Sequence, residues 1–215
     1  MYYFTAEEMR FKVTVTLRAS TVERWIRAVK KQFLNDAPIK CVGLDCEFTN
    51  PRVGDQRAAV LQLSVASETL VFQICWANEV PQLLKEFLRD NTIRFCGAAI
   101  HNDRRMLEFY KIDITNPFDL QKVVPNPTKN QTPSLYDLAN ATIGTKLPKK
   151  KENKKEKLSE EEKDLIYGWG NFPLSYEQVM YAALDARLGF EIARRHWKLR
   201  GYNSNVDRLN VIVDE

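Results

Sequence analysis

No stretch of this sequence approaches the ~18–20 apolar residues that a membrane-spanning helix needs, so no membrane partner is expected. The opening residues, Met1-Tyr2-Tyr3-Phe4-Thr5-Ala6-Glu7-Glu8, lack the basic start and apolar centre of a secretory signal. An intracellular protein, cytoplasmic or nuclear, is the expectation. Cysteine is scarce: Cys41, Cys46, Cys75 and Cys96 all fall in or beside apolar runs, and none belongs to a CxxC pair. That argues against a thiolate zinc site and for buried free thiols in a reducing compartment. Internal repeats are absent as well. The charge excess is small, 32 basic against 28 acidic side chains, and residues 149–157 supply it with six lysines against two glutamates. Such a balance suits a polyanionic partner without demanding one.

What is present is enough for a core. Hydrophobic residues make up 44% of 215, which fits one domain, with or without appendages. Residues 11–17 alternate, with Phe11, Val13, Val15 and Leu17 on one face, as in a half-buried strand. Ser20 or Thr21 is placed to cap a helix running to about residue 34, with Trp25, Ile26, Val29 and Phe33 at helical spacing. Strands are expected at 41–48, 59–65, 70–74 and 93–100, and helices near 80–88 and from Asn102 onward. The second half reads as helical: 134–143 behind Ser134, a short helix behind Ser159 to about Tyr167, and a long one over 175–199. A terminal strand is expected at 209–213. Strands followed by helices in this order describe an α/β domain. The expected layout is an N-terminal strand and helix over 1–38, a main domain over 39–200 with a basic insert at about 148–165, and a tail over 201–215.

Three segments carry chemistry. In Val42-Gly43-Leu44-Asp45-Cys46-Glu47-Phe48, two carboxylates interrupt an apolar strand. Strand side chains alternate between faces, so Asp45 and Glu47 share one. Neighbouring anions repel, and burial makes each costlier. A hard cation, Mg²⁺ or Mn²⁺, relieves both problems. A pair at a strand edge facing water is the bland alternative. In Tyr181-Ala182-Ala183-Leu184-Asp185, a phenol and a carboxylate stand four apart and project from one helix face. The intervening alanines permit close packing. A buried tyrosine bonded to an aspartate would give the same pattern. In the segment from Gly97 to Leu107, a strand ends and Asp103 falls in the first turn of a helix, where an aspartate also serves as a dipole partner.

Together these segments resemble the DEDD superfamily of 3′-5′ exonucleases. The family's DxE matches Asp45 and Glu47. Its second aspartate, with an apolar residue four on, matches Asp103 and Leu107. The YxxxD of its tyrosine subclass matches Tyr181 and Asp185. The sister subclass places histidine five residues before the last aspartate, where this chain has Met180; its histidines are His101 and His196. Further matches, Leu61-Gln62-Leu63, Ser134-Leu135-Tyr136-Asp137-Leu138 and Trp169-Gly170-Asn171-Phe172-Pro173-Leu174-Ser175, resemble the Werner-helicase-type exonuclease domain. In size the chain is similar to the plant RISC-interacting clearing exoribonucleases. The departures are the lysine-rich insert and His101, at a position often acidic in relatives.

The resemblance implies an RNase H-like (DnaQ-like) mixed sheet flanked by helices. It implies a hydrolase that removes nucleoside 5′-monophosphates from 3′ ends with two divalent ions, Mg²⁺ or Mn²⁺. Asp45, Glu47, Asp103 and Asp185 would be the metal ligands, with Tyr181 orienting the attacking water. A single-stranded nucleic acid 3′ end, RNA before DNA, is the implied substrate. Arg104 and Arg105 are candidate phosphate contacts, and Trp169 and Phe172 are candidate stacking residues. The resemblance also implies a homo-oligomer, a hexamer in the plant proteins, and an RNA-silencing complex as partner. Two alternatives stay open: an exonuclease acting on DNA with recessed 3′ ends, and a non-catalytic nucleic-acid-binding module of the same fold.

Overall fold

The computed structural model describes residues 1–7, 9–147, 163, 166–199 and 202. The lysine-rich run at 149–157, the helix start at Ser159 and the strand expected at 209–213 lie outside the described residues.

Seven strands form one sheet, in the order β1-β2-β5-β4-β3-β6-β7. They are β1 (Tyr2–Ala6), β2 (Met9–Thr16), β3 (Lys40–Phe48), β4 (Ala58–Val65), β5 (Glu68–Phe72), β6 (Ile93–Gly97) and β7 (Pro117–Asp119). β2 pairs in parallel with β5, and β3, β6 and β7 pair in parallel with one another. β4 runs antiparallel to both β3 and β5, so β2, β5, β3, β6 and β7 all point the same way. Their C-terminal ends therefore share one edge of the sheet, where α/β folds place their ligands. All eight residues of β4 are buried. A strand covered on both faces loses the alternation that marks a half-exposed one.

The helices are α1 (Ala19–Val29), α2 (Gln82–Arg89), α3 (Ile100–Leu107), α4 (Leu120–Val123), α5 (Leu135–Ile143) and α6 (Tyr176–His196). Ser134 and Ser175 begin α5 and α6 with reciprocal capping boxes, paired with Asp137 and Gln178. α6 lies across β3, β4, β5 and β6 and packs on α5. Its close seat on β3 depends on Gly43, where an added Cβ would stand 2.0 Å from the Ala186 carbonyl oxygen and 2.6 Å from the Phe190 nitrogen. Past the helix, the Tyr202 hydroxyl donates to the Ile39 carbonyl (2.6 Å) and accepts from the Cys41 N–H (3.2 Å), tying the end of α6 to the start of β3.

Several boundaries differ from the sequence expectation. The strand expected to reach Ile100 ends at Gly97. Ala99 adopts a left-handed conformation (φ 54°), and α3 starts at Ile100, so the turn is made two residues earlier than apolarity suggests. The helix expected to end at Leu34 passes into a π turn at Lys30–Leu34. Residues 2–6 form an edge strand antiparallel to β2, with Phe4 buried in the core and Tyr2 and Tyr3 exposed. The three-residue β7 is too short to leave a periodic signal.

Candidate active site

The face of β3 that bears Gly43 is the face beneath α6, and by alternation it also bears Asp45 and Glu47. Asp185 descends from α6 onto the same place. Carboxylate oxygens of Asp45, Glu47 and Asp185 all lie within 4.8 Å of one another. Asp185 is buried, whereas Asp45 and Glu47 remain partly accessible. The Tyr136 hydroxyl, from α5, donates to Asp185 Oδ1 at 2.9 Å and fixes that carboxylate's orientation.

The electrostatics follow from crowding and burial. Desolvation pushes the Asp45 carboxyl well above the usual carboxylate range, and the charges of Asp103, Asp185 and Glu47 push it further. Asp103 is 3% exposed in the first turn of α3. Burial raises it to about 7; hydrogen bonds to the backbone at Asp103 and Cys46 oppose this, while Asp119 adds to it. Asp103 stays outside the three-carboxylate group but within electrostatic reach of Asp45. Burial first, and the Asp185 carboxylate second, hold the hydroxyl protons of Tyr181 and Tyr136 firmly in place. The donor set is all hard oxygen, with no sulfur or imidazole in the group, and it concentrates three carboxylates in one place. These residues fit Mg²⁺ or Mn²⁺ better than zinc.

Around this cluster the proposed substrate residues divide. Trp169 is 2% exposed, its ring 6.1 Å from that of Tyr181. It packs in the core against Tyr181, the core-packing role that the same pattern also allows. Phe172 is 57% exposed and lies 6.3 Å from Trp76, itself 53% exposed. The Trp76 indole N–H donates to the Gly170 carbonyl at 2.8 Å, and the Gln73 amide donates to the Asn171 carbonyl at 3.3 Å, so the pair is held in place. On the other side, Arg104 pairs with Asp113 (3.2 Å) and borders a cleft of about 420 Å³ lined also by His101, Phe118, Asp119 and Lys122. Arg105 is exposed on α3.

Sequence reasoning missed Trp76 and the bond made by Tyr136. Trp76 closes a short helical turn (Ile74–Trp76) just after β5, whose C-terminal end shares the edge that bears the site, and that topology was its only signal. Tyr136 stood in a quoted motif, but its partner is 49 residues away and nothing local names it.

Comparison with known proteins agrees with this geometry. A family model described as 3′-5′ exonuclease matches residues 15–199. The mouse bifunctional 3′-5′ exonuclease/ATP-dependent helicase WRN is 31% identical over 157 residues, 72% of this chain and 10% of that protein. The chain thus spans about a tenth of that relative's length. Escherichia coli RNase D superposes with a TM-score of 0.68 at 16% identity, covering 94% of this chain and 47% of that one. The Aedes aegypti Nibbler EXO domain gives 0.65 at 16% identity, covering 97% and 100%. At those identities the two structures speak for the RNase H-like fold alone. The family match over most of the chain, on a sheet that carries a carboxylate cluster at the edge where such folds bind ligands, places this chain in the 3′-5′ exonuclease family of the DEDD superfamily, whose members are hydrolases.

Proposed function

We propose that this chain trims nucleic acid from the 3′ end by metal-dependent hydrolysis, with single-stranded RNA as its preferred substrate. The observation that carries the reading is the convergence of Asp45, Glu47 and Asp185, from β3 and α6, within 4.8 Å. A folded chain retains such a cluster only if something repays its repulsion. Asp45, Glu47 and Asp185 would hold one divalent cation. Asp45, with Asp103 acting at longer range, would hold a second. Bound there, Mg²⁺ or Mn²⁺ would supply positive charge to the phosphate under attack and to the leaving 3′ oxygen. Tyr181, which keeps its proton, is suited to orient the attacking water by hydrogen bonding rather than to abstract a proton from it. Tyr136 keeps Asp185 aimed at the cluster.

The substrate strand needs a grip beyond its last phosphodiester. Phe172 and Trp76 offer two fixed, exposed rings, and stacking on them tolerates any base. Arg104 and Arg105 supply positive charge on the opposite flank. The RNA preference rests on the resemblance to small stand-alone exoribonucleases, and so do the hexamer and the RNA-silencing partner. DNA with a recessed 3′ end is the second reading. The deciding experiment is parallel digestion of 3′- and 5′-labelled RNA and DNA, single- and double-stranded, with Mg²⁺, with Mn²⁺ and with excess EDTA. The expected result is stepwise shortening of single-stranded RNA that stops with EDTA. Undiminished hydrolysis in EDTA would overturn the mechanism, and faster attack on recessed DNA would overturn the substrate assignment.

A further inference from the structure

Gln62, in the middle of β4, is 0% exposed, and neither its amide N–H₂ nor its carbonyl oxygen has a hydrogen-bond partner among the described residues. Folded chains rarely leave a buried amide unmet on both sides. Its surroundings make the choice of residue odder. Val60, two residues back on the same face, and Val71, its cross-strand partner on β5, are fully buried, so an apolar side chain of similar size would suit the same packing. Two residues along on the same face, Ser64 meets its need by bonding Thr69 at 2.9 Å. Packing alone therefore gives no reason for glutamine at this position.

Register supplies one. Gln62 is the direct cross-strand partner of Asp45. Paired residues of an antiparallel ladder project from the same face with Cβ atoms about 4.5–5.5 Å apart. That face is the one beneath α6, where Gly43 abuts Ala186 and where Asp45, Glu47 and Asp185 converge. The amide thus sits beside a carboxylate that is crowded by Glu47 and Asp185.

We propose that Gln62 is a positioning residue for Asp45. Its amide N–H₂ donates to the Asp45 carboxylate, directly or through one buried water, when that carboxylate is ionised and facing a divalent cation. One carboxylate oxygen is then held by the amide and the other is presented to the ion. Groups that hold a ligating carboxylate in this way tune a metal site without touching the metal. The inference rests on reading the acidic cluster as a cation site.

The test compares the wild-type chain with Gln62→Met and Gln62→Leu, which keep bulk and remove both polar groups. Free Mn²⁺ is titrated by electron paramagnetic resonance, the melting temperature is measured in EDTA, and kcat and KM are measured on a labelled oligonucleotide. The expected result is Mn²⁺ affinity and kcat lowered about 10–100-fold, KM little changed, and a metal-free melting temperature equal to or above wild type. Wild-type Mn²⁺ affinity and kcat in both variants would overturn the role. So would a lowered metal-free melting temperature with unchanged Mn²⁺ affinity, or failure of both variants to fold, since either makes the amide structural. If the wild-type chain itself bound no Mn²⁺, the cation-site reading would fall and the Gln62 role with it. Wild-type binding matched by the variants would sink the Gln62 role alone.

Discussion

Asp45 is the side chain on which the site's electrostatics turn. Its carboxyl is raised by burial and by three acidic neighbours, so in the absence of a cation its charge opposes folding. Asp45→Asn and Asp185→Asn are expected to abolish hydrolysis while leaving the melting temperature in EDTA unchanged or higher. A marked fall in that temperature for either variant would make the residue structural. Tyr181→Phe keeps the ring against Trp169 and removes the hydroxyl. It should slow turnover by about 10²–10⁴-fold with KM little changed in steady-state assays, and wild-type turnover would assign Tyr181 to packing alone. Asp103 gives the pH dependence. It titrates near 7 in the folded chain, against 3.8 for an unperturbed aspartate, so the protonated form favours the fold. That contribution is complete below about pH 3.8 and is lost as pH rises through about 7. EDTA-treated protein should melt at a lower temperature at pH 8 than at pH 5, and Mg²⁺ or Mn²⁺ should restore more stability at pH 8. Fluorimetric melting across that range checks the sign, and Asp103→Asn should flatten the curve.

Among the elements, the contact of α6 with β3 is decisive, because it brings Asp185 to Asp45 and Glu47. The helix can come so close because Gly43 has no side chain, and Gly189 faces the same constraint, since an added Cβ there would stand 2.9 Å from the Cys96 carbonyl oxygen. Gly43→Ala sets a methyl group against backbone atoms that cannot rotate away. Overpacking of this kind costs about 1–3 kcal/mol, occasionally more. The variant should lose stability by that amount in denaturant titrations. It should also lose activity below its melting range, because lifting α6 moves Asp185 away from its partners. Wild-type stability and rate would mean that the helix seat is looser than the geometry implies. The cap at Ser134 was readable beforehand, because a cap is a local matter between residues three apart. The π turn after Val29 and the left-handed Ala99 were not, since nothing in the neighbouring side chains requires them.

At the scale of the whole molecule, the parallel strands end together, and their common edge holds the acidic cluster between an aromatic flank and a basic one. Trp76 and Phe172 reach that edge from different segments, held by hydrogen bonds to Gly170 and Asn171. Combined Trp76→Ala and Phe172→Ala should raise KM for single-stranded oligonucleotides. Base stacking is worth about 1–3 kcal/mol per base, which corresponds to roughly 5–150-fold. Hydrolysis of a substrate too short to reach the rings should be unaffected. Equal KM values in the variant and the wild type would remove the pair from the substrate path.

The sequence by itself determined which groups share a face. Asp45 and Glu47 are two apart on a strand, and Tyr181 and Asp185 are four apart on a helix. Both relations follow from backbone periods that no packing can change. The α/β class and the acidic chemistry were legible for the same reason. Tertiary structure alone decided which faces meet and which are covered. It joined Tyr136 to Asp185, set Gln62 across from Asp45, placed Trp169 in the interior and left Trp76 outside. It also put β5 between β2 and β4. Such choices depend on close approach between residues dozens of positions apart, where one missing side chain, as at Gly43, outweighs any local preference.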